Sequence, residues 1–164
     1  MRVLITVGSK HGATAEIGQV IADVLIGHGV ESRIAAPEEV NSIESYDAVV
    51  LGSAVYAGRW TADAKDFVER CRPQFADRPI WLFSSGPIGD PPKPEEEPVD
   101  AAPIMEATGA LGHVVFAGKL DRKVLSFGER AIVTAFRAPD GDFRDWDEIA
   151  HWATGIAEEL KTRV

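Results

Sequence analysis

Residues 2–14 read Arg2-Val-Leu-Ile-Thr-Val-Gly8 and then Ser9-Lys-His-Gly-Ala-Thr14, and this stretch decides the fold. Its first half is rich in branched aliphatic residues, which predicts a buried parallel strand. Beyond Thr14 the apolar residues recur at helical spacing, at Ile17, Val20, Ile21, Val24 and Leu25. A short loop of glycines and hydroxyl side chains therefore joins a first strand to the start of a helix.

This loop predicts an anion site, and a phosphate monoester is the expected ligand. The backbone N–H groups at a helix N-terminus lack partners within the helix, and the helix dipole favours negative charge there. Ser9 and Thr14 add two hydroxyl donors. The spacing matches neither the G-x-x-x-x-G-K-[ST] loop nor the G-x-G-x-x-G loop of nucleotide-binding proteins. The alternative interpretation is an ordinary turn between strand and helix.

Each of four side chains has two alternative roles. Lys10 either supplies a point charge to the phosphate or plays no direct part in binding it. His11 either donates to a phosphate oxygen or faces solvent. Trp60, at the head of a predicted helix, either covers a ligand ring or packs in the core. Cys71 is the single cysteine, and we expect a buried structural thiol rather than a reactive one.

Length and charge limit the classes of function. The chain has 164 residues, which predicts one domain spanning 1–164. Its net charge of −9 argues against nucleic acid as a partner. No apolar run reaches the ~20 residues of a transmembrane helix, and the N-terminus does not resemble a signal peptide, so we expect a cytoplasmic protein. The four histidines are scattered, which predicts no metal site.

Strand and helix patterns alternate along the whole chain. Strands are predicted at 3–7, 31–35, 48–51, 80–83 and 113–117, and helices at 13–27, 62–72, 101–110 and 146–161. The last helix carries a capping signal, with Asp145 followed three residues later by Glu148. The pattern predicts an α/β three-layer sandwich whose five-stranded parallel sheet has the order 2-1-3-4-5. Ligands of such sheets bind beyond the carboxyl ends of the strands.

Two further loops at that edge have the composition of binding loops. Gly52-Ser-Ala-Val-Tyr56-Ala-Gly58-Arg-Trp60 follows the third strand, and Ser84-Ser-Gly86-Pro-Ile-Gly89-Asp90 follows the fourth. Glycines let the backbone approach a planar ring closely, and an aromatic side chain can cover the face of that ring. Three such loops at one edge predict a single composite site.

With these loops, the chain from residue 1 to about 160 resembles the flavodoxin family. The resemblance implies noncovalently bound FMN as the cofactor and requires no catalytic side chain from the protein, because the flavin does the redox chemistry. By this resemblance the phosphate is held by Ser9, Lys10, His11, Gly12, Ala13 and Thr14, while the ring is lined by Ser53, Ala54, Val55, Tyr56 and Gly58 and on the other side by Ser84, Ser85, Gly86, Pro87 and Gly89.

Within that superfamily, three segments look like quinone-dependent protoporphyrinogen dehydrogenases, at residues 46–58, 116–120 and 145–149. This likeness implies an FMN oxidoreductase of haem biosynthesis that oxidises protoporphyrinogen, or a similar reduced organic substrate, with a quinone-type acceptor. The segment after Leu120 is shorter than in those enzymes. The alternatives are an acidic electron carrier between redox partner proteins, favoured by the net charge, and a flavin-free binding module.

Two further stretches have unusual composition. Residues 119–137 hold five basic residues against two acidic ones, interleaved with apolar residues. They predict either a basic amphipathic helix that touches a partner, an anionic substrate or a membrane surface, or an ordinary solvated helix. Residues 91–98 hold four prolines and three consecutive glutamates, which predicts either an extended solvated loop or a lid rim or docking surface beside the ligand.

Overall fold

A computed structural model describes residues 1–56, 58–86, 98–120, 129–130 and 141–163. The strands are β1 (Arg2–Gly8), β2 (Glu31–Ile34), β3 (Ala48–Tyr56), β4 (Arg59–Trp60), β5 (Ile80–Ser85), β6 (Gly112–Phe116), β7 (Lys119–Leu120) and β8 (Gly141–Asp142). The α-helices are α1 (Ala13–Gly27), α2 (Ala62–Cys71), α3 (Ala101–Thr108) and α4 (Trp146–Thr162), and two short 3₁₀ helices span Pro37–Glu39 and Arg72–Asp77.

The central sheet has the order β2-β1-β3-β5-β6, with all four of these pairings parallel. The fourth and fifth predicted strands are β5 and β6, so the predicted order 2-1-3-4-5 is confirmed. The short strand β4 was not predicted, and it forms an antiparallel hairpin with the end of β3. Strands β7 and β8 pair with each other in a separate two-stranded sheet.

Helices cover both faces of the sheet, as the predicted three-layer sandwich requires. Alternate residues of β1 enter different hydrophobic clusters, with Val3 and Ile5 on one face and Leu4 on the other. The first cluster packs the sheet against α1 and α4, where Ile21 and Ile156 are buried. The second packs it against α2 and α3 and includes Cys71, whose thiol is buried as predicted. Burial raises the pKa of the Cys71 thiol.

Side chains cap two helices at their N-termini but not α1. Thr61 accepts a hydrogen bond from the Ala64 N–H at the start of α2. Asp145 Oδ1 accepts from the Glu148 N–H at 3.1 Å, which confirms the predicted cap of α4. Within the described parts of the chain, no side chain caps α1. Its first N–H groups can therefore donate to a bound acceptor.

The strands β3 and β5 run further than the sequence predicts. Ser53 and Ala54 belong to β3, and Ser84 and Ser85 to β5, although all four were expected in loops. Their small side chains resemble loop residues, but each pairs with neighbouring strands and is buried. Trp60 lies in β4 and not at the head of a helix, since α2 begins at Ala62.

Candidate functional site

The sheet register brings the three predicted loops to one edge. Gly8 at the end of β1 pairs with Ser53 of β3, and Ser53 pairs in turn with Ser84 of β5. One residue further on, Ala54 pairs with Ser85. Because the pairings are parallel, the chain leaves all three strands on the same side. The carboxyl ends of β1, β3 and β5 therefore lie together at one edge, where the sequence predicts a binding site.

We call residues 8–14 the phosphate loop, after the ligand that the sequence predicts for it. Gly12 has a left-handed backbone with φ of 87°, a conformation that favours glycine. The Ser9 hydroxyl accepts a hydrogen bond from the Gly12 N–H at 3.1 Å, which shapes the turn. Thr14 is buried in the first turn of α1, while Ala13 is half-buried beside it. Loop and helix start thus place two hydroxyls beside uncapped N–H groups.

Lys10 and His11 meet a carboxylate from a distant part of the chain. Glu129 Oε2 lies 3.1 Å from Lys10 Nζ and 3.1 Å from His11 Nε2, whose N–H donates to it. The Lys10 side chain is 55% exposed, whereas those of His11 and Glu129 are only 19% and 20% exposed. The Glu129 carboxylate therefore contacts both nitrogen donors of the loop, and the His11 side chain is largely buried instead of facing solvent.

Tyr56 connects the phosphate loop with the end of β3. Its ring lies edge-on to that of His11, with 6.1 Å between the ring centroids. The side chain is among the exposed large hydrophobic groups at 37%. Partial burial is the main cause that raises the pKa of the Tyr56 phenol; a hydrogen bond with the Lys10 backbone opposes the rise, and the charge of Glu129 adds to it. Tyr56 thus remains a neutral aromatic surface at neutral pH.

The hydroxyls of Ser53 and Ser84 serve internal hydrogen bonds. Ser53 Oγ accepts from the Thr61 N–H at 2.9 Å and donates to the Ala54 carbonyl at 2.8 Å. Ser84 Oγ accepts from Trp60 Nε1 at 2.8 Å and lies 2.7 Å from His113 Nε2. Trp60 is buried in the second hydrophobic cluster, so its role is packing and not ring cover. These bonds tie β4 to β5 and β6.

Close backbone contacts shape the rest of the ring-lining region. A Cβ on Gly118 would lie 3.2 Å from Gly86 Cα, and the Gly86 N–H donates to the Phe116 carbonyl at 3.3 Å. Gly58 has a φ of 78° in the hairpin between β3 and β4. Val55, which is half-buried, lies beside Gly86, where an added Cβ would come within 3.2 Å of the Val55 Cβ. The predicted site residues Pro87 and Gly89 lie outside the described residues.

Arg144 fixes the start of α1 from the opposite direction. Its Nη1 donates to the Ala13 carbonyl at 3.1 Å and to Glu16 at 2.7 Å, and its Nη2 donates to Asp142 at 2.6 Å. The guanidinium also stacks over the Trp146 ring, 4.5 Å from the centroid, and the side chain is only 4% exposed. These contacts anchor the phosphate loop to β8 and α4.

Sequence reasoning missed Glu129 and Arg144. Neither belongs to a motif, and both reach the loop from over a hundred residues away. The one signal was Glu129 itself, an acid within the basic stretch 119–137. Residues 121–128 and 131–140 of that stretch lie outside the described residues, and so do residues 91–97 of the proline- and glutamate-rich segment 91–98.

Within the described parts of the chain, no group of three or more histidine, cysteine, aspartate or glutamate side chains is arranged to hold a metal ion. A search of the same residues finds no helix that is both long and apolar enough to cross a membrane.

Comparison with known proteins gives a family match over most of the chain. A family model described as a flavodoxin domain matches residues 4–147. A search of curated proteins finds no match.

Solved structures share the fold at low sequence identity. A flavodoxin from Streptococcus pneumoniae TIGR4 is 19% identical, with all of both chains covered and a TM-score of 0.64. Oxidised flavodoxin 1 from Bacillus cereus is 16% identical, covering 100% of this chain and 99% of that one, with a TM-score of 0.61. Rubredoxin oxygen:oxidoreductase from Desulfovibrio gigas is 13% identical over 98% of this chain but 36% of its own, with a TM-score of 0.66.

Proposed function

The chain belongs to the flavodoxin family, which implies FMN as its cofactor, and on that premise we propose that it transfers electrons between redox partner proteins. The observation that carries the proposal is the register of the sheet, in which Gly8, Ser53 and Ser84 are paired on neighbouring strands. This register places the three predicted binding loops beside the uncapped start of α1. Bound FMN would supply one- and two-electron chemistry at its ring.

The residues of the site fit FMN on chemical grounds. A phosphate needs several donors and positive charge, and the phosphate loop offers the first N–H groups of α1, the hydroxyls of Ser9 and Thr14, the Lys10 ammonium and the N–H donor of His11. A Cβ on Gly12 would meet nothing within 4 Å, so the space beside the loop is open. We propose that Tyr56 and the segment around Gly86 contact the ring.

The electron-carrier reading is supported by charge and by the comparisons. With a net charge of −9 the chain can be steered towards basic patches on redox partners. Negative charge near the flavin also disfavours its anionic reduced form and lowers its reduction potential. The proteins from Streptococcus pneumoniae and Bacillus cereus are flavodoxins over their whole length.

For the dehydrogenase hypothesis, the comparisons support only the general class, a flavin oxidoreductase. Desulfovibrio gigas rubredoxin oxygen:oxidoreductase places the same fold within an oxidoreductase, which fits a flavin oxidoreductase in general. Oxidation of protoporphyrinogen and transfer to a quinone rest on the three segments that suggested them, and neither the family match nor the solved structures support them further.

Anaerobic photoreduction of the FMN-loaded protein tests the electron-carrier proposal. We expect one-electron-reduced flavin to accumulate, because a carrier must pass electrons singly. Direct two-electron reduction, or steady turnover of protoporphyrinogen with menadione as acceptor, would contradict the proposal in favour of the enzyme. Free FMN under the same illumination is the control, since it reports the behaviour of flavin without the site.

A further inference from the structure

The Glu129 carboxylate contacts the phosphate loop directly. Its Oε2 lies 3.1 Å from both Lys10 Nζ and His11 Nε2, so one carboxylate oxygen bridges the ammonium of Lys10 and the imidazole of His11. The bridge is largely shielded, since the Glu129 and His11 side chains are about four-fifths buried, at 20% and 19% exposed. Such shielding strengthens the interaction relative to a fully solvated ion pair.

Lys10 and His11 are also the side chains proposed to donate hydrogen bonds to the FMN phosphate. A phosphate monoester carries about −1.5 to −2 charges at neutral pH. A phosphate in contact with Lys10 and His11 would lie within a few ångströms of the Glu129 carboxylate, and the two anions would repel one another. The His11 Nε2–H that donates to Glu129 cannot donate to the phosphate at the same time, and the Lys10 ammonium, which has three N–H donors, would be shared between two anions that repel each other.

We propose that Glu129 is a built-in competitor for the phosphate site: it binds Lys10 and His11 when the site is empty and gives them up when FMN binds. The inference rests on the proposed FMN site and assigns a residue that sets its affinity and specificity. FMN must displace a carboxylate, whereas riboflavin, which lacks the phosphate, gains nothing by doing so. The contact with Glu129 thus lowers the affinity for FMN and gives Lys10 and His11 a partner in the apoprotein.

The opposite role for Glu129 is a positioning one, in which its carboxylate orients His11 and Lys10 for the phosphate. The two roles predict opposite signs. Removing the charge strengthens FMN binding if Glu129 competes, and weakens it if Glu129 positions its partners. Glu129→Gln keeps the shape of the side chain and removes the charge, so it separates them.

The test is isothermal titration of the apoprotein with FMN, riboflavin and inorganic phosphate. The matched control is Glu158→Gln, which makes the same change of net charge at an exposed position of α4. We expect Glu129→Gln to bind FMN and inorganic phosphate about two- to fivefold more tightly than the control, the range of a partly exposed ion pair. Riboflavin affinity should be equal in the two variants.

A second pair of variants keeps the result interpretable. Lys10→Ala removes one of the contested cations, so adding Glu129→Gln to it should give a smaller gain than in the wild-type background. An FMN affinity of Glu129→Gln that is equal to or weaker than the control would overturn the competition while leaving the FMN site intact. Failure of the wild-type protein to bind FMN at all would instead overturn the proposed function, and the inference with it.

Discussion

At Gly8 and Thr6, single residues of β1 show how tightly the sheet meets α2. A Cβ on Gly8 would overlap the Thr61 hydroxyl, so the glycine before the phosphate loop is needed for packing as well as for the turn. Thr6, two residues earlier on the same face, is fully buried, and its hydroxyl has no hydrogen-bond partner among the described residues. An unpaired buried hydroxyl costs free energy that an apolar group would not.

We therefore predict that Thr6→Val stabilises the fold. Valine has nearly the shape of threonine and removes the unpaired hydroxyl, which is expected to raise the free energy of unfolding by about 1 kcal/mol. Urea denaturation measures the change. The control is Thr108→Val, since Thr108 is equally buried but donates to the Ile104 carbonyl at 2.7 Å and should gain nothing. A loss of stability in Thr6→Val would show that its hydroxyl has a partner.

At the residue scale, local sequence predicts the turn between β1 and α1, because glycines, two hydroxyls and a helix start lie within seven residues. The structure has this turn, and phosphate binding by it stays a prediction. The contacts of Glu129 with Lys10 and His11 were not predicted, because nothing in the local sequence specifies a partner 118 residues away. Trp60 remained ambiguous for the same reason, since its indole N–H finds Ser84 only in the folded sheet.

At the scale of elements, the helix starts followed from the sequence more closely than the strand ends. The Asp145 cap fixes the start of α4, and an accepting side chain with its N–H donor three residues further on can be recognised without tertiary structure. The ends of β3 and β5 depend instead on pairing between strands. Ser53 and Ser84 resemble loop residues, yet each lies between two partners that continue the ladder.

The Arg144 anchor predicts a pH dependence that belongs to the β8–α1–α4 junction. Hydrogen bonds from Arg144 hold the pKa of the Asp142 carboxyl below its usual value. The folded state thus favours the charged carboxylate. Its stabilising contribution is complete above the unfolded-state pKa of about 3.9 and is lost as the pH falls through the lower folded-state pKa.

We predict that Asp142→Asn destabilises the protein at pH 7 and not at very low pH. We expect the free energy of unfolding to fall by about 1 kcal/mol. This is less than for a buried ion pair, because the Asp142 side chain is 41% exposed. Urea denaturation at a series of pH values measures the difference from the wild type. It should shrink as the pH drops below about 4. Asp66→Asn, an exposed position on α2, is the control; a difference independent of pH would argue against the anchor.

For the whole molecule, the alternation of strands and helices was sufficient to predict the sheet order, because parallel strands joined by helices allow few arrangements. That order alone places the ends of β1, β3 and β5 together, so the position of the site followed from the fold. The sequence did not predict which redox partner proteins bind, because partner choice depends on the molecular surface and not on the order of the sheet.

The most direct test of the account is a flavin titration of the apoprotein, followed by quenching of flavin fluorescence, in the wild type and in the double variant Ser9→Ala with Thr14→Ala. We predict that the wild type binds FMN. The double variant should bind FMN with a binding free energy weaker by a few kcal/mol, since each hydrogen bond to a charged acceptor contributes about 1.5–3 kcal/mol. Thr162→Ala, at the far end of α4, should match the wild type. A wild type that binds no FMN, or a double variant that binds it equally well, would contradict the central claim.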